Sequence, residues 1–175
     1  MKSKMLFFCV SLLLFLVANN SAQTKSLYTS LDTKNCKTIK QSNDEGGSYQ
    51  GVCNGIGNYK LEVLEGDIRQ TINVIAPNKK KFELDLWSNV SSGFSNVGQK
   101  AEWRMKGTTP IALIVRFSAS EDPADSTKIT SYLVVSKITK TEVCITDIVK
   151  PSKTQNAEAQ KLADAAPGKA CKVFQ

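Results

Sequence analysis

Residues 111–117 read Ile-Ala-Leu-Ile-Val-Arg-Phe and form the longest nearly unbroken apolar run outside the N-terminal segment. Pro110 precedes this run, and the short stretch Ser-Ala-Ser at residues 118–120 follows it. A short apolar run that is rich in β-branched residues and bounded by turn formers is typical of a strand buried on both faces. The run therefore predicts a central strand of a sheet. Its one charged residue, Arg116, predicts a partner group, because a buried charge is costly when it is unpaired.

The segments around this run alternate between apolar and polar residues with a period of two, which is the pattern of half-buried strands joined by turns. Residues 129–138 and 143–149 predict a hairpin, whereas residues 23–35 predict a loop with one helical turn. The fold prediction is therefore mainly β, an antiparallel sandwich or open barrel of about eight strands. The in-phase apolar positions behind it are Tyr59, Leu61, Val63, Ile68, Ile72, Val74, Phe82, Leu84, Leu86, Ala101, Trp103 and Met105.

The C-terminal segment changes from the period of a strand to that of a helix. Ala159, Leu162, Ala163 and Ala166 recur at positions i, i+3, i+4 and i+7, which places them on one face of an α-helix. Pro-Gly at residues 167–168 predicts the end of this helix. We therefore expect one short C-terminal helix that packs on the β-structure.

The N-terminus has the three parts of a secretory signal peptide. Lys2 and Lys4 supply the basic part, residues 5–17 the apolar part, and residues 18–22 a small polar exit. The apolar run is shorter than the roughly 20 residues of a spanning helix, so no membrane span is expected in the mature chain. The prediction is a signal peptide over residues 1–22 and a single β-rich domain over residues 23–175, secreted or periplasmic.

The chain carries a formal net charge of +7, which becomes +5 when Lys2 and Lys4 leave with the signal peptide. A charge of this size weakly favours anionic partners such as nucleic acid, acidic glycans or anionic lipid. The lysines are scattered along the sequence, and the only run, at residues 79–81, is typical of a solvated turn. We therefore expect no nucleic-acid partner.

Four cysteines remain in the predicted mature chain: Cys36, Cys53, Cys144 and Cys171. An even number of cysteines in an exported chain predicts two disulfides. Four cysteines allow three connectivities, of which the local one, Cys36–Cys53 with Cys144–Cys171, is the simplest. In the chain-entropy description, loops of this size would contribute about 3 to 3.5 kcal/mol each to stability.

The composition excludes several catalytic systems. The chain has no histidine, so Ser-His-Asp and Cys-His catalysis are excluded and a catalytic zinc or iron site is disfavoured. Gly-x-Ser-x-Gly, Cys-x-x-Cys and Ser-x-x-Lys motifs and an EF-hand loop are also missing, so we expect no cofactor, no metal and no catalytic residue. Carboxylates remain possible: Glu83 and Asp85 lie two apart on a predicted strand, where a glycosidase pair competes with a solvated strand face.

Four residues are the candidate binding residues: Trp87, Glu102, Arg104 and Arg116. Trp87 follows a predicted strand and precedes a polar loop, where an aromatic side chain could contact a glycan or protein, although simple packing is the alternative. A three-residue turn at residues 108–110 would place Glu102 directly opposite Arg116. A five-residue turn would place Lys100 there instead, which is electrostatically worse. The sequence therefore predicts a Glu102–Arg116 pair, with compensation of a half-buried charge as the alternative to ligand binding.

The C-terminal half of the chain resembles a family of small uncharacterised exported bacterial proteins. The likeness covers about residues 100–172, through a Glu-Trp-Arg strand, an apolar strand that ends in arginine, a cysteine-bearing strand, and a helix rich in asparagine and alanine before a last cysteine. This chain has Gln-Lys at residues 160–161 where that pattern leads us to expect an arginine. The resemblance implies an exported bacterial protein with a Cys144–Cys171 disulfide, and it implies no activity.

Three functional hypotheses follow from these patterns. The first is a non-enzymatic exported binding or interaction protein with a protein or glycan partner, because the sequence lacks histidine and the catalytic motifs named above. The second is an inhibitor of an envelope or host hydrolase, although a net charge of +5 disfavours basic targets of the lysozyme type. The third and weakest is a carbohydrate hydrolase.

Overall fold

The computed structural model describes residues 23–44 and 46–174, so the predicted signal peptide at residues 1–22 lies outside the described residues. The described residues form a mainly β protein with one C-terminal helix, which confirms the predicted fold class. They include no helix that is long and apolar enough to cross a membrane. The strands are β1 (Thr24–Ser30), β2 (Lys37–Ser42), β3 (Ser48–Asn54), β4 (Lys60–Gly66), β5 (Arg69–Ile75), β6 (Lys81–Glu83), β7 (Ser95–Lys106), β8 (Thr109–Ser120), β9 (Ile129–Ile138) and β10 (Val143–Val149). The helices are the single turn α1 (Leu86–Asn89) and α2 (Gln155–Ala165), with 3₁₀ turns at Thr33–Asn35 and Ala166–Gly168.

The ten strands follow the order β10-β9-β8-β7-β5-β4-β3-β2, with β1 added to β7 and β6 added to β5. All pairings are antiparallel except one parallel bridge between Arg69 of β5 and Ser95 of β7. Strand β7 joins the two halves, because its start meets β5 and its second half pairs with both β1 and β8. The segment predicted as a loop at residues 23–35 is instead largely strand β1, which pairs along β7 through its backbone and so needs little apolar alternation.

Strand β8 contains the apolar run and is buried on both faces, as its sequence predicts. Leu113, Val115 and Phe117 point into the main core, together with Trp103 and Met105 of β7. The alternate residues of β8 face a second cluster beneath α2. That second cluster consists of Ala112, Ile114, Leu133, Val135, Val149, Ala159, Ala163 and Ala166, with Leu162 packed against it. The predicted apolar face of the C-terminal helix is therefore confirmed.

The predicted register between β7 and β8 is wrong by two residues. A two-residue turn at residues 107–108 joins the strands, and a bulge at Ile111 then shifts the pairing. Glu102 consequently lies opposite Ile114 instead of Arg116. The register beyond the bulge is the one that the five-residue turn would have produced. A second irregularity between Val97 and Ala101 interrupts the ladder where Lys100 would meet Arg116.

The two disulfides are Cys36–Cys53 and Cys144–Cys171, the local connectivity. The first connects β3 with the segment just before β2, and its Cα atoms lie 4.3 Å apart. The second connects β10 with the chain that follows α2, at a Cα separation of 5.7 Å. Disulfides persist in oxidising compartments, so this pairing indicates an extracellular type of environment.

Candidate functional site

Glu102 and Arg104 lie on the face of β7 that α2 covers, and they form a charged network with that helix. The guanidinium of Arg104 donates from Nε to Asp164 Oδ1 at 2.7 Å and from Nη2 to Asp164 Oδ2 at 2.8 Å. Glu102 accepts hydrogen bonds from Ser26 of β1 and, at 2.8 Å, from Gln160 Nε2. All of these groups are at least half-buried, so the network attaches α2 and β1 to β7 and leaves little of either residue for a ligand.

Arg104 and Asp164 stabilise each other's charge. The hydrogen bonding of its guanidinium to the Asp164 carboxylate is the main reason that the pKa of Arg104 is raised above its ordinary value. Burial alone would raise the pKa of the Asp164 carboxyl, but hydrogen bonds from Arg104 and Thr24 outweigh it, and the pKa falls below its ordinary value. The pair is therefore fully ionised at neutral pH.

Arg116 is half-buried and holds the start of α2. Its Nη1 donates to Ser131 Oγ at 2.8 Å and to Gln155 Oε1 at 3.2 Å, and its Nη2 donates to Asn156 Oδ1 at 3.4 Å. The predicted Glu102–Arg116 ion pair is therefore wrong. The two residues share a small groove of about 240 Å³ beside α2, which is below the usual volume of a ligand pocket.

Trp87 lies away from the other three predicted binding residues, on the single turn of α1, and is half-buried. Glu83 is exposed at the end of β6, whereas Asp85 lies beyond that strand with a φ of 44°. The two carboxylates therefore do not share a strand face, because the chain turns into α1 between them. Trp103 is fully buried in the core, and its Nε1 donates to Thr29 Oγ1 at 2.9 Å.

A cleft of about 650 Å³ opens where three loops meet at one end of the strands, and its volume is in the usual range for ligand sites. We call this the loop end: the β4–β5 turn at residues 67–68, the segment at residues 88–94 and the β8–β9 loop at residues 121–128. Backbone hydrogen bonds connect the three segments, from Ser95 N to Ile68 O at 3.0 Å and from Ser120 N to Phe94 O at 2.9 Å. Five serine side chains line the cleft: Ser88, Ser91, Ser92, Ser120 and Ser126.

Charged and aromatic groups fix the shape of the cleft. Arg69 donates from Nε to Ser92 O at 2.8 Å, pairs with Asp67, and lies over the Phe94 ring at 5.0 Å from its centroid. Gly93 lies so close to β8 that a Cβ atom there would be 1.9 Å from Ser120 O. Only glycine at position 93 therefore allows the segment at residues 88–94 to dock against β8. This segment forms a rim of the cleft, and it is held by Arg69 on one side and by β8 on the other.

The carboxylates of the cleft are held in their charged form. Burial alone would raise the pKa of the Glu121 carboxyl, but hydrogen bonds from Tyr132, Thr130 and Ser91 lower it below its ordinary value. Tyr132 donates to Glu121 at 2.8 Å and 2.9 Å, and burial together with this bond raises the pKa of Tyr132 to about 12. The Lys128 ammonium, 2.7 Å away, lowers the pKa of the Asp122 carboxyl.

An apolar patch adjoins the cleft and consists of Ile68, Phe94 and Ile129. Their exposed fractions are 58%, 47% and 56%, and together they line a depression of about 300 Å³. Ile68 sits in the β4–β5 turn with a φ of 58°, and the preceding Asp67 also has a positive φ, of 51°. A β-branched residue in the left-handed region is a genuine outlier, and such strain is concentrated at functional sites.

A buried carboxylate lies on the outer face of the β3–β4–β5 sheet, where the sequence alternation predicts an ordinary solvated residue. Glu62 is only 3% exposed and accepts from Gln50 Nε2 at 2.8 Å, Asn73 Nδ2 at 2.8 Å and Lys81 Nζ at 2.7 Å. Burial alone would raise the pKa of this carboxyl, but the three donors lower it below its ordinary value. Both of its oxygens accept hydrogen bonds from within the fold, so this network is structural.

No protein-family model matches the sequence, and neither a curated protein nor a solved structure does. The resemblance over residues 100–172 therefore stays a prediction. The loop end was missed by sequence reasoning because its residues come from three distant loops. Two local signals could have pointed to it: the serine-rich segment at residues 88–95, and an Asp-Ile pair in a turn that normally takes asparagine or glycine.

Proposed function

We propose that this chain is an exported, non-enzymatic binding protein whose loop end docks a protein partner. The observation that carries the proposal is Ile68, a large apolar side chain displayed at 58% exposure on a turn whose backbone disfavours it. Apolar groups that are exposed together and rimmed by polar residues mark interaction surfaces. The predicted signal peptide and the two disulfides support an exported location in the periplasm or the medium.

A protein partner suits this end better than a glycan. The apolar patch offers three neighbouring side chains for burial, and the adjoining cleft has room for a partner's side chains between its serine hydroxyls. Apolar burial against a polar rim is the usual anatomy of a protein interface. A glycan ligand would instead need a flat exposed ring in the cleft, whereas the Phe94 ring is covered on one side by Arg69.

The electrostatics of the cleft disfavour hydrolysis of a glycan. A glycosidase needs one carboxylic acid whose pKa is raised so that it can protonate the leaving group. Here the pKa values of Glu121, Asp122 and Asp125 are all lowered by hydrogen-bond donors. We therefore place the carbohydrate-hydrolase hypothesis below the two binding hypotheses.

The inhibitor of a hydrolase is the second candidate, and one observation favours it. The positive net charge disfavoured basic targets of the lysozyme type, but the charge is unevenly placed. The loop end carries Glu65, Asp67, Glu121, Asp122 and Asp125 against Arg69, Lys128 and Lys150, the last of which acts on Glu121. A basic hydrolase would therefore meet an acidic surface here, and a strained turn that projects Ile68 is suited to enter a cleft.

Site-specific photo-cross-linking tests the proposal. A photoreactive phenylalanine analogue replaces Phe94 in one sample and Ile39 in the control, since Ile39 is an equally exposed apolar residue, at 52%, on the distant strand β2. We expect a discrete protein adduct from position 94 after irradiation with an envelope or culture fraction, and none from position 39. An identified hydrolase whose activity falls on binding would favour the second candidate. Adducts from both positions, or from position 39 alone, would contradict the proposal.

A further inference from the structure

The end of the strands opposite the loop end collects exposed lysines. We call it the turn end: the β3–β4, β5–β6, β7–β8 and β9–β10 turns. The first and third of these turns touch, because a Cβ atom on Gly57 would lie 3.7 Å from Pro110 Cδ. The second and fourth touch where Lys80 Nζ donates to Thr141 O at 3.3 Å. The exposed lysines of the four turns are Lys60, Lys79, Lys80, Lys106 and Lys140.

These five ammonium groups are not neutralised within the fold. In the part of the chain that the structure describes, no carboxylate oxygen lies within 4.0 Å of any of them. Neighbouring lysines behave differently, since Lys81 pairs with Glu62 at 2.7 Å and Lys137 with Glu142 at 2.6 Å. The turn end therefore presents a group of unpaired positive charges on a molecule whose opposite end is acidic.

One of these lysines occupies a position that the backbone disfavours. Lys79 has a φ of 68° in the tight β5–β6 turn, where its N–H donates to Ala76 O at 2.8 Å. Glycine or asparagine would adopt this left-handed conformation at lower cost. A cationic side chain at such a position indicates that the turn end has a function, and this indication is independent of the number of lysines.

The chemistry of the group indicates what kind of partner it fits. All three arginines that the structure describes lie elsewhere, so the turn end lacks the planar fork that recognises an individual phosphate. Phe82, the aromatic ring beneath Lys80, lies 4.6 Å from that ammonium, which disfavours the stacking of a base on this ring. Separate ammonium groups on flexible stems suit a surface of mobile anionic headgroups.

We propose that the turn end adsorbs to the surface of an anionic lipid bilayer through Lys60, Lys79, Lys80, Lys106 and Lys140. The strands would then stand on the membrane, and the loop end would face away from it. This inference goes beyond the proposed function and does not depend on it, because it uses the other end of the molecule.

Vesicle sedimentation tests this surface with matched charge variants. The full chain is mixed with vesicles containing about 30% phosphatidylglycerol in phosphatidylcholine, or with phosphatidylcholine alone, at about 50 mM salt. We expect binding to the anionic vesicles only, and loss of this binding at high salt. The triple variant Lys79→Gln, Lys80→Gln, Lys140→Gln should bind at least about tenfold more weakly. The control Lys150→Gln, Lys153→Gln, Lys161→Gln removes the same charge from exposed positions elsewhere and should stay close to the wild type.

Equal weakening of the two triple variants would overturn the proposal, because net charge alone would then explain binding. Binding that survives the turn-end substitutions would overturn it as well. Retention on heparin or single-stranded DNA without binding to anionic vesicles would also overturn the proposal, because the partner would then be a soluble polyanion and not a bilayer. Thermal unfolding of each variant provides the check on folding, since all six lysines are exposed.

Discussion

Glu62 shows how a single buried group can decide the response of this protein to pH. Its carboxylate takes three hydrogen bonds in a site that is almost closed to water, and Lys81 reaches across from β6 to complete the site. The pKa of Glu62 is lowered in the folded state. A group with a lowered folded pKa stabilises the fold above its unfolded pKa, and this contribution is lost as the pH falls through the folded value.

We therefore expect the free energy of unfolding to fall as the medium is acidified below about pH 4.5. Glu62→Gln should destabilise the protein by about 2 to 3 kcal/mol at pH 7. The difference from wild type should shrink as the pH falls below about 4.5, because the contribution of the ionised carboxylate is lost as the pH falls toward its lowered folded pKa. Urea unfolding at several pH values measures both effects. The exposed Glu83→Gln serves as control and should change stability by less than about 0.5 kcal/mol. A Glu62→Gln deficit that is constant with pH would contradict this account.

The C-terminal helix shows how polar contacts fix an element whose apolar face is small. Alanines supply most of its buried face, so apolar burial contributes little per residue, and the contact to Asp164 becomes important. Asp164→Asn should destabilise the protein by about 1.5 to 3 kcal/mol, because the buried Arg104 guanidinium loses its charged acceptor. Lys161→Gln on the exposed side of the same helix should be within about 0.5 kcal/mol of wild type. Thermal or urea unfolding measures both variants, and equal effects would show that the ion pair does not hold the helix.

The elements that sequence reasoning predicts well are those whose pattern is local. Examples are the apolar run of β8, the hairpin of β9 and β10, and the alanine face of α2. In each of these elements, the local apolar pattern alone predicts which residues are buried. The register of β7 on β8 could not be predicted in the same way, because the two-residue turn and the Ile111 bulge together place Glu102 opposite Ile114 instead of Arg116. The alternation in the sequence predicts which face of each strand is buried, and the bulge preserves that face. It does not predict which residue of β8 lies opposite a given residue of β7.

The candidate sites were less predictable than the elements for a related reason. Glu102, Arg104 and Arg116 share one face as expected, but α2 covers them, and the helix uses their charges to dock. The loop end brings residues 68, 94 and 129 around one depression, and no short window of sequence contains all three. Ile68 was predicted as an in-phase strand residue, but it lies exposed in the β4–β5 turn, where isoleucine conflicts with turn chemistry. Such local conflicts are expected where function overrides stability.

The whole molecule is electrically asymmetric along its strands. Acidic groups gather at the loop end, while the unpaired lysines gather at the turn end, although the sequence scatters both along the chain. Antiparallel strands produce this arrangement because alternate turns fall at the same end of a sheet. A net charge of +5 or +7 therefore describes neither end. The two surfaces that we propose therefore lie at opposite ends, one for a protein at the loop end and one for anionic lipid at the turn end.

We propose that the loop end is a binding surface maintained against backbone strain, and Ile68→Asn tests this proposal most directly. Asparagine tolerates the left-handed conformation, so the variant should be more stable than wild type by about 1 kcal/mol in urea unfolding. In the same preparation, retention of the partner identified by cross-linking should be lost. Ile39→Asn, which changes an equally exposed isoleucine elsewhere, should retain that partner. If Ile68→Asn is destabilised, or if it retains the partner as well as wild type does, the loop end is not the surface that we describe.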